Sequence, residues 1–421
     1  MNKFLKNNYH ILTYVLLYSS LIIAFYFDEN VAGGPKYDFR YVLKQVALFD
    51  ENFLYSFLNY DTIEHPNRLS PIYVMVVLFF KKIFISLDIA RFVLLHILIL
   101  SQIYFYKCLK LIYFNKLSIN KKNLFFLSCI IFISPSFRSN IIWIESSMIG
   151  LLLFLIGHYY YLKNFKKFKL RNVYLNIFFI ALASYIRPSY CVFAIYFFYL
   201  YFTFFKNKIS IYYVMLFNIL LAFPAFFYLF ILDVFFIGFH IGSTLEESNT
   251  NYFDKTAIIG SIIIFHSIPF LYYKKFFFNK LFKKKLLILF SFAISSILIF
   301  YFNYNLDSAG GGIFLHISNF LIGNNYLFYL LLPIFTFLIL NILKIKLSNN
   351  LIVILVLLLM TPQYHIFHKY YDPLVFILCL TMIDFNLKKD FFMEKKYISS
   401  AYLLFFTHYF ISFVNSYYIK F

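Results

Sequence analysis

The sequence predicts an all-α, polytopic membrane protein of about thirteen transmembrane helices, with a first extracytoplasmic loop built from amphipathic helices. Three observations predict it. Of the 421 residues, 62% are hydrophobic and only 13% charged, and apolar runs of span-like length recur from end to end. The net charge of +20 is gathered in short lysine clusters between those runs, which is the pattern of cytoplasmic loops and not of a nucleic-acid surface. Arginine and acid segregate from lysine: five of the six arginines (Arg40, Arg68, Arg91, Arg138, Arg187) and 15 of the 18 acids fall on or near the face opposite the lysine clusters.

Lys3 and Lys6 place the N-terminus inside, so the first apolar run (9–27) exits to the outer face. The polar stretch after it begins with Asp28-Glu29 and offers no small-residue cleavage site, so this run is expected to stay as a helix. Residues 28–87 form the first extracytoplasmic loop. Within it, Phe39, Val42, Val46, Phe49, Phe53 and Phe57 recur at helical spacing, which predicts an amphipathic helix over 38–58 with Asp38 at its N-cap and Gly33-Gly34-Pro35 turning the chain into it. Residues 71–86 carry Lys81-Lys82 at mid-run and are expected to lie at the interface; if they crossed, the lysines from 107 to 122 would fall outside. The expected spans are 9–27, 88–106, 123–136, 142–161, 173–186, 189–205, 210–232, 256–273, 286–303, 326–343, 350–362, 373–386 and 397–416, one domain over 1–421. The four cysteines lie singly in apolar runs and read as small core residues.

The outer turns hold the residues with chemical potential. Asp38 either caps its helix or serves as a carboxylate at the bilayer rim, where partial desolvation favours a base; Asp28 and Glu29 compete for that role. Arginine in a lysine-preferring chain marks positions that need the planar fork for phosphate or carboxylate. Arg138 and Glu145 flank Trp143 in SPSFRSNIIWIESS (134–147), where they either pair with each other or face a ligand; Trp143 reads as an interface anchor. Arg187 precedes Pro188 in SYIRPSY at membrane depth, a costly place for a cation without an anion. Arg40 and Arg68, with His65, complete the first loop. LDSAGGGIFLHISNF (306–320) has a glycine triplet that is no P-loop. TPQYHIFHKYYDPL (361–374) crowds His365, His368, Lys369 and Asp372; without a further ligand set, an anion or lipid-phosphate grip fits better than a metal.

YDFRYVLKQ after the first helix, NRLSPIYVM before the next span, SPSFRSNIIW, SYIRPSY and FHKYYDPL together resemble the C-type membrane glycosyltransferases, most nearly the enzymes that use polyprenyl- or dolichyl-phosphate glucose or mannose. The likeness of architecture covers nearly the whole chain, while the motifs are loose; no WWDYG-like motif is present, and the acidic pair 28–29 and Asp38 lie ten residues apart. The resemblance implies a multi-pass protein of the cell inner membrane with its site facing the periplasm, transferring a sugar from a polyprenyl-phosphate donor to a glycan, lipid or protein acceptor with inversion. It implies neither metal nor other cofactor. Asp38, with Asp28 and Glu29 as rivals, would be the base; Arg138, Arg187, His365, His368 and Lys369 would bind the donor phosphate; Arg40, Arg68 and Glu145 would line the acceptor side. The competing readings are an O-antigen or capsule polymerase or ligase, and a lipid or solute transporter, for which no internal repeat is found.

Overall fold

The structure, a computed structural model, describes residues 2–60, 70–84, 86–114, 119–231, 251–274, 285–304, 306, 310–361 and 365–419. His65 and Arg68 lie outside them. The described residues are helical with short turns, and they form two compact units: Met1–Lys116, Lys121–Leu245 and His408–Phe421 in one, Leu117–Asn120 and Glu246–Thr407 in the other.

Among the described residues, six helices are long and apolar enough to cross a membrane: Asn8–Tyr26, Leu87–Phe114, Pro188–Phe205, Tyr252–Lys274, Tyr326–Ile345 and Lys395–Tyr418. A seventh crossing arises if Lys121–Ile133 and Pro135–Ile142, bent by 69°, count as one span. This falls short of the thirteen expected. Leu170–Ile186, Ile211–Phe226, Lys285–Phe300 and Leu347–Leu359 are apolar helices of 10–17 residues, and 373–386 yields only Leu374–Thr381. Runs of 13 to 17 residues satisfy a hydropathy pattern before they satisfy a bilayer's thickness.

In the first unit, α1 (Asn2–Tyr26) exposes Ile11, Leu12, Val15, Leu16 and Ile23, as a helix facing hydrocarbon does. It ends where Asp28 adopts a positive φ of 50°, a turn Asp tolerates better than most residues. The amphipathic helix α2 (Pro35–Glu51) forms as expected, burying Phe39, Val42, Val46 and Phe49, but two details differ. Gly34 is its N-cap and Pro35 its first residue, so Asp38 sits in the first turn and does not cap. The helix also stops short of 58: Asn52 leaves the helical region, and its side chain accepts from Tyr55 N (3.1 Å) to start α3 (Phe53–Leu58). Next comes α4 (Pro71–Phe84), 14 residues and too short to span, packed on α2. Its two lysines fall in the last turn and not at mid-run, and are met by one acid of α2, with Asp50 3.1 Å from Lys81 and 3.0 Å from Lys82.

After α5 (Leu87–Leu98) and α6 (Leu100–Leu109), α7 (Lys121–Ser128) runs through a 3₁₀ turn to Ser134, whose hydroxyl accepts from Phe137 N to cap α8 (Pro135–Ile142). Every residue from Leu127 to Met148 is buried. The stretch 134–147 is therefore the core of this unit and not the outer turn its polar composition suggests. Packed on α8 are α1, α2, α5 and α9 (Ser146–Lys166); α10 (Leu170–Ile186) packs on α9, and α11 (Val192–Phe205) and α12 (Ile211–Phe226) pack on α10. Cys108, Cys129 and Cys379 are buried as expected, whereas Cys191 is exposed.

The second unit is organised on α13 (Tyr252–Lys274), most of whose residues are buried against α15 (Gly312–Ile322), α16 (Tyr326–Ile345) and α18 (Leu374–Thr381).

Candidate functional site

Two buried arginine–glutamate pairs occupy the first unit, and they use the sequence candidates in unequal ways. Arg138 and Glu29 form a closed knot. The guanidinium donates from Nε to Glu29 Oε1 (2.7 Å) and from Nη2 to Oε2 (2.9 Å), a bidentate contact. Its remaining N–H groups go to Ser20 Oγ (2.9 Å), Ser20 O (3.3 Å) and Phe132 O (3.3 Å), so all five donors are committed. Glu29 in turn accepts from Tyr409 OH (3.2 Å), and its carbonyl accepts from Trp143 Nε1 (3.1 Å). Trp143 is thus a buried strut and not an interface anchor.

Asp28, on the rim of this knot, pairs with Arg91 (3.2 Å) and Lys36 (4.0 Å). Arg91 also holds Asp88 (3.1 Å) and the carbonyl of Ile142, with its guanidinium 4.2 Å from the centre of the Trp143 ring. The puzzle of acids at the first helix exit resolves into counter-ions for arginines arriving from other helices.

The second pair is looser. Arg187 ends α10 just before Pro188 and is buried, and its Nη1 lies 3.9 Å from Glu145 Oε1, an ion pair beyond hydrogen-bonding distance. Arg138 and Glu145, seven positions apart in sequence, therefore take different partners. Glu145 is the N-cap of α9: its Oε2 accepts from Ser147 N (2.9 Å) and from the Ser147 hydroxyl. The residue before it, Ile144, is fully buried with a φ of +50°. A β-branched side chain in the left-handed region is strained by roughly 1–3 kcal/mol, and such strain concentrates at functional sites. The turn is held by Glu145 N donating to Asn140 O (2.8 Å) and by Tyr73 OH donating to Ile144 O.

Tyr73 links this pair to α2. Burial, then the charges of Glu145 and Asp38, push its phenol well above the ordinary value, while Arg187 acts in the opposite sense. Asp38 is half-buried in the first turn of α2 and shares the environment of Tyr73 with Glu145 and Arg187. The structure thus assembles Asp38, Tyr73, Glu145 and Arg187 from four helical segments. Tyr190 packs beside them, donating to Ser147 O (3.4 Å). Here two carboxylates and one buried cation bear on the same phenol, whereas in the knot one carboxylate exhausts its cation. Tyr73 and Ile144 carry no signal in the sequence, since each sits inside an apolar run. Arg40 is exposed on α2, away from its buried face.

His365, His368 and Lys369 belong to the second unit. His368 opens a short 3₁₀ turn and stacks on His266 of α13 (ring centres 5.4 Å apart, 19° between planes). Lys369 is buried with its ammonium 5.3 Å from the Phe367 ring and 5.5 Å from the Tyr370 ring, and the His365 ring neighbours Phe367. Close by, Gly310, Gly311 and Gly312 all take positive φ, and Gly311 N donates to Ile366 O (2.9 Å). The triplet is therefore needed to dock the chain against the 365–372 segment. His266, buried at the middle of an apolar helix, is the member of this group that sequence spacing did not flag.

Comparison with protein-family models, with curated proteins and with solved structures finds no match to this chain.

Proposed function

We propose that the protein is a glycosyltransferase of the cell inner membrane that moves a sugar from a polyprenyl-phosphate donor to an acceptor hydroxyl at the periplasmic face, with inversion at the anomeric carbon. One observation carries the reading: Arg187 and Glu145 are buried together at 3.9 Å behind the strained Ile144, with the Asp38 carboxylate bearing on the same Tyr73. That brings a guanidinium fork suited to a phosphate and a second carboxylate to bear on one site, the two groups such a displacement needs.

In the proposed step the acceptor oxygen attacks C1, the C1–O bond to phosphate breaks, and the bonding pair leaves on polyprenyl phosphate. The acceptor proton passes to Asp38 and then to water. A phosphate leaving group is a weak base and requires no general acid, so the demand falls on charge stabilisation, which Arg187 meets. Glu145, fixed as a helix cap, orients Arg187. Glu29 and Arg138 are assigned to holding the core, because their polar groups are spent on one another, and Asp28 to holding Arg91 and Lys36. The acceptor, whether glycan, lipid or protein, is left to experiment.

The test is transfer of radiolabelled sugar from a polyprenyl-phosphate donor by the purified full-length protein, comparing the wild type with Asp38→Asn and Asp28→Asn. Loss in Asp38→Asn alone supports the assignment. Full activity in Asp38→Asn moves the base to Asp28 or Glu29. Chain extension of a diphosphate-linked glycan in place of single-sugar transfer favours a polymerase, and no transfer by the wild type with any donor favours a transporter.

A further inference from the structure

A second site lies at the other end of α10. A groove of about 460 Å³ runs between α10 and α12, lined by Leu170, Arg171, Tyr174, Leu175, Phe178 and Phe217. Tyr174 and Phe217 form its floor, edge to face with ring centres 4.9 Å apart. Its wall is apolar apart from Arg171, which is exposed in the first turn of α10 and makes no ion pair among the described residues. The size lies within the roughly 300–1,000 Å³ of small-molecule sites.

The charge around the mouth has one sign. Lys166, Lys167 and Lys169 precede Arg171, and Lys206 and Lys208 are brought alongside: Phe168 meets Phe205 (5.6 Å), and Lys208 lies over the Phe168 ring (5.8 Å). No aspartate or glutamate occurs between Glu145 and Asp233. An apolar groove with an arginine in its lining and lysines beside it is complementary to a molecule with an acyl chain and an anionic head. Arg187 is sixteen residues further along α10, about 24 Å at 1.5 Å per residue, so this groove opens at the opposite end of the helix from the Asp38–Arg187 cluster.

We propose that this groove holds one anionic glycerophospholipid, its phosphate on Arg171 with Lys169 beside it and an acyl chain along Tyr174, Leu175 and Phe178. The site is independent of the transfer reaction and stands whether or not that reading survives.

The experiment is native mass spectrometry of the full-length protein in neutral detergent, offered phosphatidylglycerol, phosphatidylcholine or inorganic phosphate. One phosphatidylglycerol should be retained over phosphatidylcholine, with retention falling about fivefold in Arg171→Gln and again in Lys169→Gln. Leu175→Trp, which fills the groove without changing charge, should release the lipid as well. Equal retention of the two lipids, or undiminished binding in Arg171→Gln, overturns the proposal. So does displacement by inorganic phosphate at the lipid's own concentration, which marks a free-anion site. Retention unchanged in Leu175→Trp reduces the effect to a lysine-rich surface and overturns the groove.

Discussion

Arg138–Glu29 and Arg187–Glu145 are both buried arginine–glutamate pairs in the same unit, yet the first meets at 2.7 Å with every donor used and the second stands at 3.9 Å. The first joins residues 109 positions apart and ties the exit of α1 to the core turn; its geometry is that of a fastener. The second sits beside a strained residue and a second carboxylate. Closed pairs hold a fold, and the pair at 3.9 Å is the looser of the two. Buried ion pairs add little net stability over an apolar substitute, but removing one partner is severe because the other is left charged and dry. The comparison therefore predicts that stability and activity divide between the two pairs.

The largest effect is expected in Asp38→Asn, with transfer falling about 10²–10⁴-fold, the usual contribution of a positioned base, and thermal stability unchanged. Next is Arg138→Met, which strands Glu29 in the core and should cost about 3–5 kcal/mol, read as a fall in thermal midpoint in detergent. Glu29→Gln with Arg138→Met should recover part of that loss; if the double variant is no better than the single one, the pair is not the fastener described. Arg187→Gln should invert the balance. It should lower transfer by about 10²–10³-fold through kcat, while costing only about 1–3 kcal/mol, since Glu145 keeps its contacts to Ser147. Equal thermal losses for Arg138→Met and Arg187→Gln would erase the distinction.

How much of this was legible in the sequence depends on the kind of order involved. The amphipathic α2 was readable because Phe39, Val42, Val46 and Phe49 repeat at the helical period, and burial of one face is a local consequence of that period. The scarcity of arginine drew attention to Arg91, Arg138 and Arg187, which are buried, and equally to Arg40, which is exposed. What stayed hidden was partnership. Ser134, Arg138, Asn140 and Glu145 look like a solvated turn because each is polar, yet they are buried with partners inside the fold: the Phe137 N–H for Ser134, Glu29 for Arg138, the Ser147 hydroxyl for the Asn140 amide nitrogen, and the α9 N-terminus for Glu145. Those partners lie up to 109 residues away, a distance that no periodicity spans. Tyr73 was invisible for the opposite reason, as an aromatic residue in a chain where 24% are aromatic. The span count missed because short apolar helices and full spans share a hydropathy pattern.

The smallest effect tests the outer boundary of the comparison. Asp50 faces Lys81 and Lys82 across α2 and α4 on an exposed surface, and hydrogen bonds from Lys82 and Lys81 lower its pKa from the ordinary carboxylate value. A carboxylate whose folded-state pKa is depressed contributes stability above its unfolded value, and that contribution is lost as pH falls through the folded one. The stability difference between wild type and Asp50→Asn should therefore be present at pH 7 and be lost as pH falls through and below the ordinary carboxylate range. It should also fade in high salt, where exposed charges are screened, while the Arg138→Met deficit persists. A deficit in Asp50→Asn that survives both acid and salt would mean that α2 and α4 are joined there by packing, not charge, and that the lysines of α4 need another explanation for their place in an apolar run.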